Sequence, residues 1–155
     1  MKKLLIALFL LISFSAFAQT KKTKILEEKI GAINLSYSKN VDLDKNETHY
    51  FCSLIFQNAK YTSISDIKAI SFVDKNELEA FTKDLNKIYE QILLDEKVDF
   101  SFKRTEYSLV LYDFSPNLYL NSFKGVTGYT ILGKPLVKKL IDNLSKIDFG
   151  SDTLK

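Results

Sequence analysis

Two kinds of apolar spacing occur along this chain, and together they limit the folds that it can form. Most of the chain alternates apolar and polar residues, as in residues 33–37, which is typical of half-buried strands. Two stretches instead repeat apolar residues every three or four positions, which indicates amphipathic helices over about residues 75–94 and after Gly133. The apolar helical positions are Leu78, Phe81, Leu85, Ile88 and Ile92, and then Val137, Leu140, Leu144 and Ile147.

The strand patterns predict six or seven strands in one antiparallel sheet. They cover about residues 30–38, 49–57, 61–73, 98–103, 106–113, 118–123 and 129–132, with a polar turn over 39–48. Short connections between successive strands favour antiparallel pairing. We therefore predict an α+β fold, in which a meandering sheet has both helices packed on one face.

The two halves of the chain resemble each other. The helical segment Leu85-x-Lys87-Ile88 matches Leu144-x-Lys146-Ile147, and the strand at Tyr50 aligns with the strand at Tyr107. An internal duplication is one interpretation of this match. Chance resemblance between two amphipathic units that use few residue types is the alternative.

The first eighteen residues have the pattern of a secretory signal peptide. Lys2 and Lys3 precede an apolar run over 4–14, and Ala16-Phe17-Ala18 is a small-x-small cleavage site. We expect export to the periplasm or secretion, with no stable membrane anchor after cleavage; an uncleaved anchor is the alternative. Residues 19–155 are then predicted to form a single α+β domain, with 19–29 and 151–155 loose.

Charge and cysteine content exclude several classes of protein. The formal net charge of +3 includes Lys2 and Lys3, so the processed chain is nearly neutral, which is not a nucleic-acid-binding signature. Cys52 is the only cysteine, so no disulfide can form within the chain. Its alternating partners in the strand are apolar, so the thiol is predicted to face the core. His49 is an odd number of residues away and should lie on the opposite face.

Metal and cofactor motifs are weak. Asp42, Asp44 and Asn46 occupy alternate positions, as in a calcium loop, but Glu47 stands where the sharp turn needs glycine. A solvated hairpin loop is the simpler interpretation of these residues. With one histidine and one cysteine, zinc binding is not indicated. We predict no cofactor, no metal and no catalytic residue with a recognisable motif.

Tyrosines on the second half of the chain are the candidate ligand-binding residues. Tyr112, Tyr119 and Tyr129 lie in strand-like segments, and tyrosine is common at interfaces. The favoured function is a non-catalytic binding module whose partner is an envelope protein, a peptide or a small ligand. One exposed patch of these tyrosines would favour binding.

The alternative function is a small hydrolase that uses carboxylates. Its candidate residues are Asp99, Glu106 and Asp113. Two of these carboxyl groups within about 10 Å in one pocket would favour hydrolysis.

Overall fold

The computed structural model describes residues 20–61, 65–94, 99–112, 115–123 and 127–155, and these form strands and two helices. In chain order the elements are β1 (Thr20–Ile30), β2 (Ile33–Asp42), β3 (Glu47–Gln57), β4 (Ile67–Phe72), α1 (Lys75–Leu94), β5 (Phe100–Lys103), β6 (Tyr107–Tyr112), β7 (Ser115–Ser122), β8 (Gly128–Leu132) and α2 (Lys134–Leu144). The α+β class is confirmed.

The strands form two four-stranded antiparallel sheets and not the single meandering sheet that we predicted. The strand orders are β1-β2-β3-β4 and β5-β6-β7-β8. β4 meets β7 where the Ser122 hydroxyl donates to the Ala69 carbonyl at 2.9 Å. It meets β6 where the rings of Phe72 and Tyr107 lie 6.3 Å apart. β4 therefore crosses successive strands of the second sheet, and so it does not continue that sheet as a neighbouring strand.

Asn58 joins the two sheets at this crossing. Its side-chain oxygen accepts from the Tyr129 backbone N–H at 3.2 Å, and the Ala59 N–H donates to the Tyr129 carbonyl at 2.7 Å. Its amide nitrogen donates to the Asp66 carboxylate at 2.7 Å. A Cβ atom on Gly128 would lie 2.7 Å from the same amide nitrogen, so the close approach of the sheets requires glycine there.

Both helices pack on one shared core. α1 contacts β4, β5, β6 and β7, α2 contacts β1 and β7, and the helices contact each other. Every apolar helical position predicted from the sequence is buried. α1 begins after Asp74, whose carboxylate accepts from the Glu77 N–H at 2.9 Å. The Glu77 carboxylate in turn accepts from the Val73 N–H at 3.4 Å, one residue before the usual capping-box position.

The two halves have the same order of elements, because each consists of four antiparallel strands followed by a helix. The predicted helix match is consistent with this order, and a polar residue is buried at the matching positions Asp84 and Asn143. The strand match is wrong by one strand. Tyr50 lies in the third strand of its sheet, whereas Tyr107 lies in the second strand of the other sheet.

The N-terminal segment is not the loose stretch that we expected for residues 19–29. Residues 20–30 form β1, which pairs antiparallel with β2 from Thr20 to Ile30, with a register shift between Lys24 and Leu26. Sequence inspection missed β1 because its lysine-rich beginning lacks an apolar alternation. Backbone pairing with β2 orders it instead. Residues 1–19 lie outside the described part of the chain, so the signal peptide stays a prediction.

The C-terminal segment, expected to be loose over 151–155, is held against the first sheet. The Asp152 carboxylate accepts from the Lys39 ammonium at 2.7 Å and from the Tyr50 hydroxyl at 2.8 Å. Leu154 forms an isolated β-bridge with Ile147. The Asp152 contacts join residues more than 100 positions apart, so local composition did not reveal them.

Among the described residues, no helix has the length and apolar character needed to cross a membrane.

Candidate functional site

The second sheet has a face that points away from the core. Its register places Val110, Tyr119 and Ile131 side by side across β6, β7 and β8. The neighbouring positions Leu109, Leu118, Leu120 and Leu132 are buried, so they belong to the opposite, core-facing side. Strand alternation therefore presents the first three residues on the outer face of this sheet.

The three tyrosines predicted as candidates are brought together on this face. The Tyr112 and Tyr119 rings lie 4.9 Å apart between centroids, with an interplanar angle of 80°. The Tyr119 and Tyr129 rings lie 5.9 Å apart at 43°. Tyr112 and Ile131 are 38% and 40% exposed, which leaves aromatic and aliphatic surface open to solvent. We call Tyr112, Tyr119, Tyr129, Val110 and Ile131 the tyrosine face.

The described strand residues around the tyrosine face are polar and largely uncharged. Ser108 and Asn121 lie in the row that contains Tyr129, and the Asn121 amide donates to the Ser108 hydroxyl at 3.1 Å. Within the described strands of this sheet, the only charged side chain is Lys103 in β5. Its ammonium lies 6.0 Å from the centroid of the Phe123 ring. The face therefore offers apolar contact and neutral hydrogen-bonding groups.

The outer face of the first sheet differs in character. Ser36, Ser53 and Ser71 lie in one row across three strands, and the hydroxyls of Ser53 and Ser71 are 3.3 Å apart. Ile55 is 37% exposed in the next row, beside the small side chain of Ala69. Small hydroxyl side chains give this face little of the rigid contact area that clustered tyrosines provide.

The candidate carboxylates are not brought together where the structure describes them. Asp99 immediately precedes β5, and Glu106 lies in the turn that follows it. The extended strand between them spans about 16 Å, which exceeds the 5–10 Å separation of glycosidase carboxylates. Asp113 lies outside the described residues, so its role as a hydrolase carboxylate stays a prediction.

Sequence inspection missed an ion pair near Glu106. The Arg104 guanidinium donates to both oxygens of Asp84, at 2.8 Å and 3.0 Å. Asp84 is 3% exposed, and burial together with the Asp84 charge raises the pKa of Tyr107 to about 12. The pair attaches the β5–β6 turn to α1. A polar residue inside the helical stripe was its only sequence signal.

The shallow pocket beside this ion pair has a volume of about 170 Å³ and is lined partly by Glu77 and Glu106. Because the Arg104 guanidinium in this pocket is paired with Asp84, it is not an unpaired cation that a ligand could bind.

Cys52 faces the core, as predicted, and is fully buried. Desolvation raises the pKa of its thiol to about 12, so the reactive thiolate is suppressed. His49 is exposed on the other side of the strand. The thiol and imidazole therefore form no catalytic pair.

The loop that resembles a calcium site is a tight hairpin. One Asp42 carboxylate oxygen accepts from the backbone N–H groups of Asp44 and Lys45, at 3.0 Å and 3.1 Å. Asn46 adopts a φ of 54°, a conformation that asparagine tolerates better than most residues. Asp42 thus has a turn-forming role. Over the described ranges, no group of three or more histidine, cysteine, aspartate or glutamate side chains is placed to hold a metal.

Comparison of the chain with protein-family models, with curated protein sequences and with solved structures finds no match.

Proposed function

We propose that this protein is an exported, non-catalytic binding module that contacts a protein partner through the tyrosine face. The observation that carries the proposal is the contact of Tyr119 with both Tyr112 and Tyr129 on the outer side of the second sheet. Tyrosine supplies a large and rigid contact area at a small cost in side-chain entropy.

The composition of the face favours a protein over a small polar ligand. Val110 and Ile131 flank Tyr119 and have no polar group to offer a sugar or a nucleotide. Tyrosine beside serine and asparagine is the combination that protein-binding surfaces use for adaptable recognition. The described strands of the second sheet carry one charged side chain, Lys103, so we expect binding to depend little on salt.

The size of the face limits its affinity. The four strands of the second sheet are about 4.8 Å apart and each contributes about five residues of 3.3 Å, so its whole outer face, of which the tyrosine face is a part, has a footprint of about 300 Å². A standard interface uses about 800 Å² on each partner. The tyrosine face alone therefore fits a weak or transient contact, unless neighbouring surface joins it.

Export is part of the proposal and rests on the sequence alone. The apolar run, the two preceding lysines and Ala16-Phe17-Ala18 support it. N-terminal sequencing of the protein from its native cell should find Gln19 as the first residue. An intact Met1 on cytosolic protein would refute export.

Affinity capture from the native cell envelope tests the binding function. The parent chain is compared with a Tyr119→Ala/Ile131→Ser variant and with a control, Ile55→Ser, on the other sheet. We expect the same discrete partner with the parent and the control, at low and at high salt. The Tyr119→Ala/Ile131→Ser variant should not recover this partner. Equal recovery of the partner by all three chains would contradict the proposed face. Loss of the partner from the parent chain at high salt would also contradict it.

A further inference from the structure

The edge strands of the two sheets differ in how well they are protected against pairing with a strand of another chain. β4 crosses the second sheet, and the β8 backbone at Tyr129 is engaged by Asn58 and Ala59. The β1 edge carries lysines, which discourage pairing with another strand. These lysines are Lys21, Lys22, Lys24 and Lys29. β5 carries one lysine, Lys103, among its four residues, so its edge has less of this protection.

Some of the backbone hydrogen-bonding groups of β5 point away from its neighbouring strand, β6. The Arg104 N–H donates to the Tyr107 carbonyl at 2.8 Å, which closes the turn between β5 and β6. Bonding direction alternates along an antiparallel strand, so Ser101 and Lys103 direct their N–H and C=O groups away from β6. Among the described strands, β5 is at the edge of the second sheet, and these two residues form its outward bonding side.

We propose that β5 pairs antiparallel with β5 of a second copy of this chain, about a twofold axis at Ser101. In this register Ser101 lies opposite Ser101 of the second copy, and Phe100 lies opposite Phe102. Lys103 then lies opposite Asp99 at each end. The outward backbone groups of Ser101 are in the position to form the central pair of hydrogen bonds.

The residue pattern of the edge is self-complementary in this register. Asp99-Phe100-Ser101-Phe102-Lys103 has opposite charges at its two ends and the same ring on either side of its centre. Antiparallel pairing therefore sets unlike charges against each other twice. Moving the axis to Phe102 would set Lys103 against Ser101 and lose both ion pairs.

The phenylalanines of β5 provide the apolar part of the junction. Phe100 and Phe102 are only half-buried in one copy, and their ring centroids are 5.3 Å apart. Pairing would bring four such rings together on the helix side of the sheet. Aromatic cross-strand pairs are among the more stabilising ones in sheets.

Pairing through β5 would join the second sheets of both copies into one eight-stranded sheet. A twofold axis perpendicular to a sheet leaves the same face of both halves on one side. The outer faces of the two sheets would then be continuous, with a combined footprint of about 600 Å² that includes both tyrosine faces. The pairing does not depend on the proposed partner, since it uses the strand edge and not the tyrosine face.

Sedimentation velocity of the purified chain tests the pairing, with concentrations from about 10 μM to about 1 mM because short interfaces are weak. We expect the weight-average sedimentation coefficient to rise with concentration. Ser101→Pro removes one outward N–H, which an edge strand tolerates, and should keep the chain monomeric. Ser101→Thr retains the N–H and is the matched control. Circular dichroism verifies that each variant is folded.

A charge exchange tests the register. Lys103→Glu should weaken association about tenfold, because two ion pairs become repulsive. The double variant Asp99→Lys/Lys103→Asp should restore association to within about threefold of the parent. A parent chain that stays monomeric throughout, or a folded Ser101→Pro variant that associates like the parent, would overturn the pairing. A double variant no tighter than Lys103→Glu would overturn the register. Neither result would alter envelope capture through the tyrosine face.

Discussion

Replacing Asn58 with alanine should be one of the more damaging single substitutions in this protein. The side chain is fully buried, and its oxygen accepts from the backbone N–H groups of Lys60 and Tyr129 at 3.1 Å and 3.2 Å. Its amide donates to Asp66 at 2.7 Å. Alanine supplies none of these groups, so the Tyr129 N–H at the junction of the sheets loses its partner.

The expected loss follows from these contacts. Two neutral hydrogen bonds contribute about 1 kcal/mol each, and a bond to a carboxylate contributes about 2 kcal/mol. Asp66 keeps its ion pair with Lys68 at 2.7 Å, and its side chain is 24% exposed, so water replaces part of the lost bond. We therefore expect the free energy of unfolding to fall by about 3 kcal/mol. For a domain of this length, Tm should fall by about 10 °C.

Urea unfolding followed by circular dichroism, together with a thermal scan, measures the effect. Asn34→Ala is the control, because Asn34 is exposed on β2, and its free energy of unfolding should change by less than about 0.5 kcal/mol. Asn58→Asp keeps the acceptor oxygen but sets a second carboxylate against Asp66. It should be at least as unstable as Asn58→Ala at neutral pH. A Tm for Asn58→Ala within about 2 °C of the parent would refute the reasoning.

Three further predictions concern buried or paired groups. Tyr37→Phe removes a hydroxyl that accepts from the Gly150 N–H at 2.9 Å, and should lower the free energy of unfolding by about 2 kcal/mol in urea titrations. The Cys52 thiol, with its pKa raised to about 12, should react with a thiol reagent only as fast as the chain unfolds; immediate modification of folded protein would contradict its burial. Hydrogen bonds from Lys68 and Asn58 lower the pKa of Asp66, so its contribution to stability is complete above about pH 4 and is lost as pH falls through the lowered folded value. An Asp66→Asn variant should therefore show a shallower acid-induced loss of the urea midpoint, and an unchanged slope would contradict this role.

Local patterns predicted the first helix closely, whereas the second helix ends at Leu144 although its predicted apolar stripe continues to Ile147. The apolar stripe from Leu78 to Ile92 predicted a helix over about residues 75–94, and α1 has these bounds, Lys75–Leu94. These features act within a few residues of one another, so sequence spacing reveals them directly. The inward orientation of Cys52 followed from strand alternation for the same reason.

The division into two sheets was not predictable from local patterns. A strand pattern shows which side chains face a core, but it does not show which strand lies alongside it. Asn58 reads as part of an ordinary connection, although its side chain accepts from the Tyr129 N–H and so joins the sheets. β1 was missed because pairing with β2, and not its own composition, orders it.

The candidate site, like the fold, depends partly on local patterns and partly on packing between distant residues. Tyr112, Tyr119 and Tyr129 were selected one by one from strand-like segments, and nothing in their spacing required them to touch. Their contact comes from the register of β6, β7 and β8, which is settled by burial of the leucines on the opposite face. The sequence by itself determined the α+β class, the helical stripes and the lack of an intrachain disulfide, because these depend on composition and on short-range periodicity. Only the tertiary structure decided how the sheets cross, which strands lie at the sheet edges and which tyrosines meet, because those outcomes depend on packing between residues far apart in the chain.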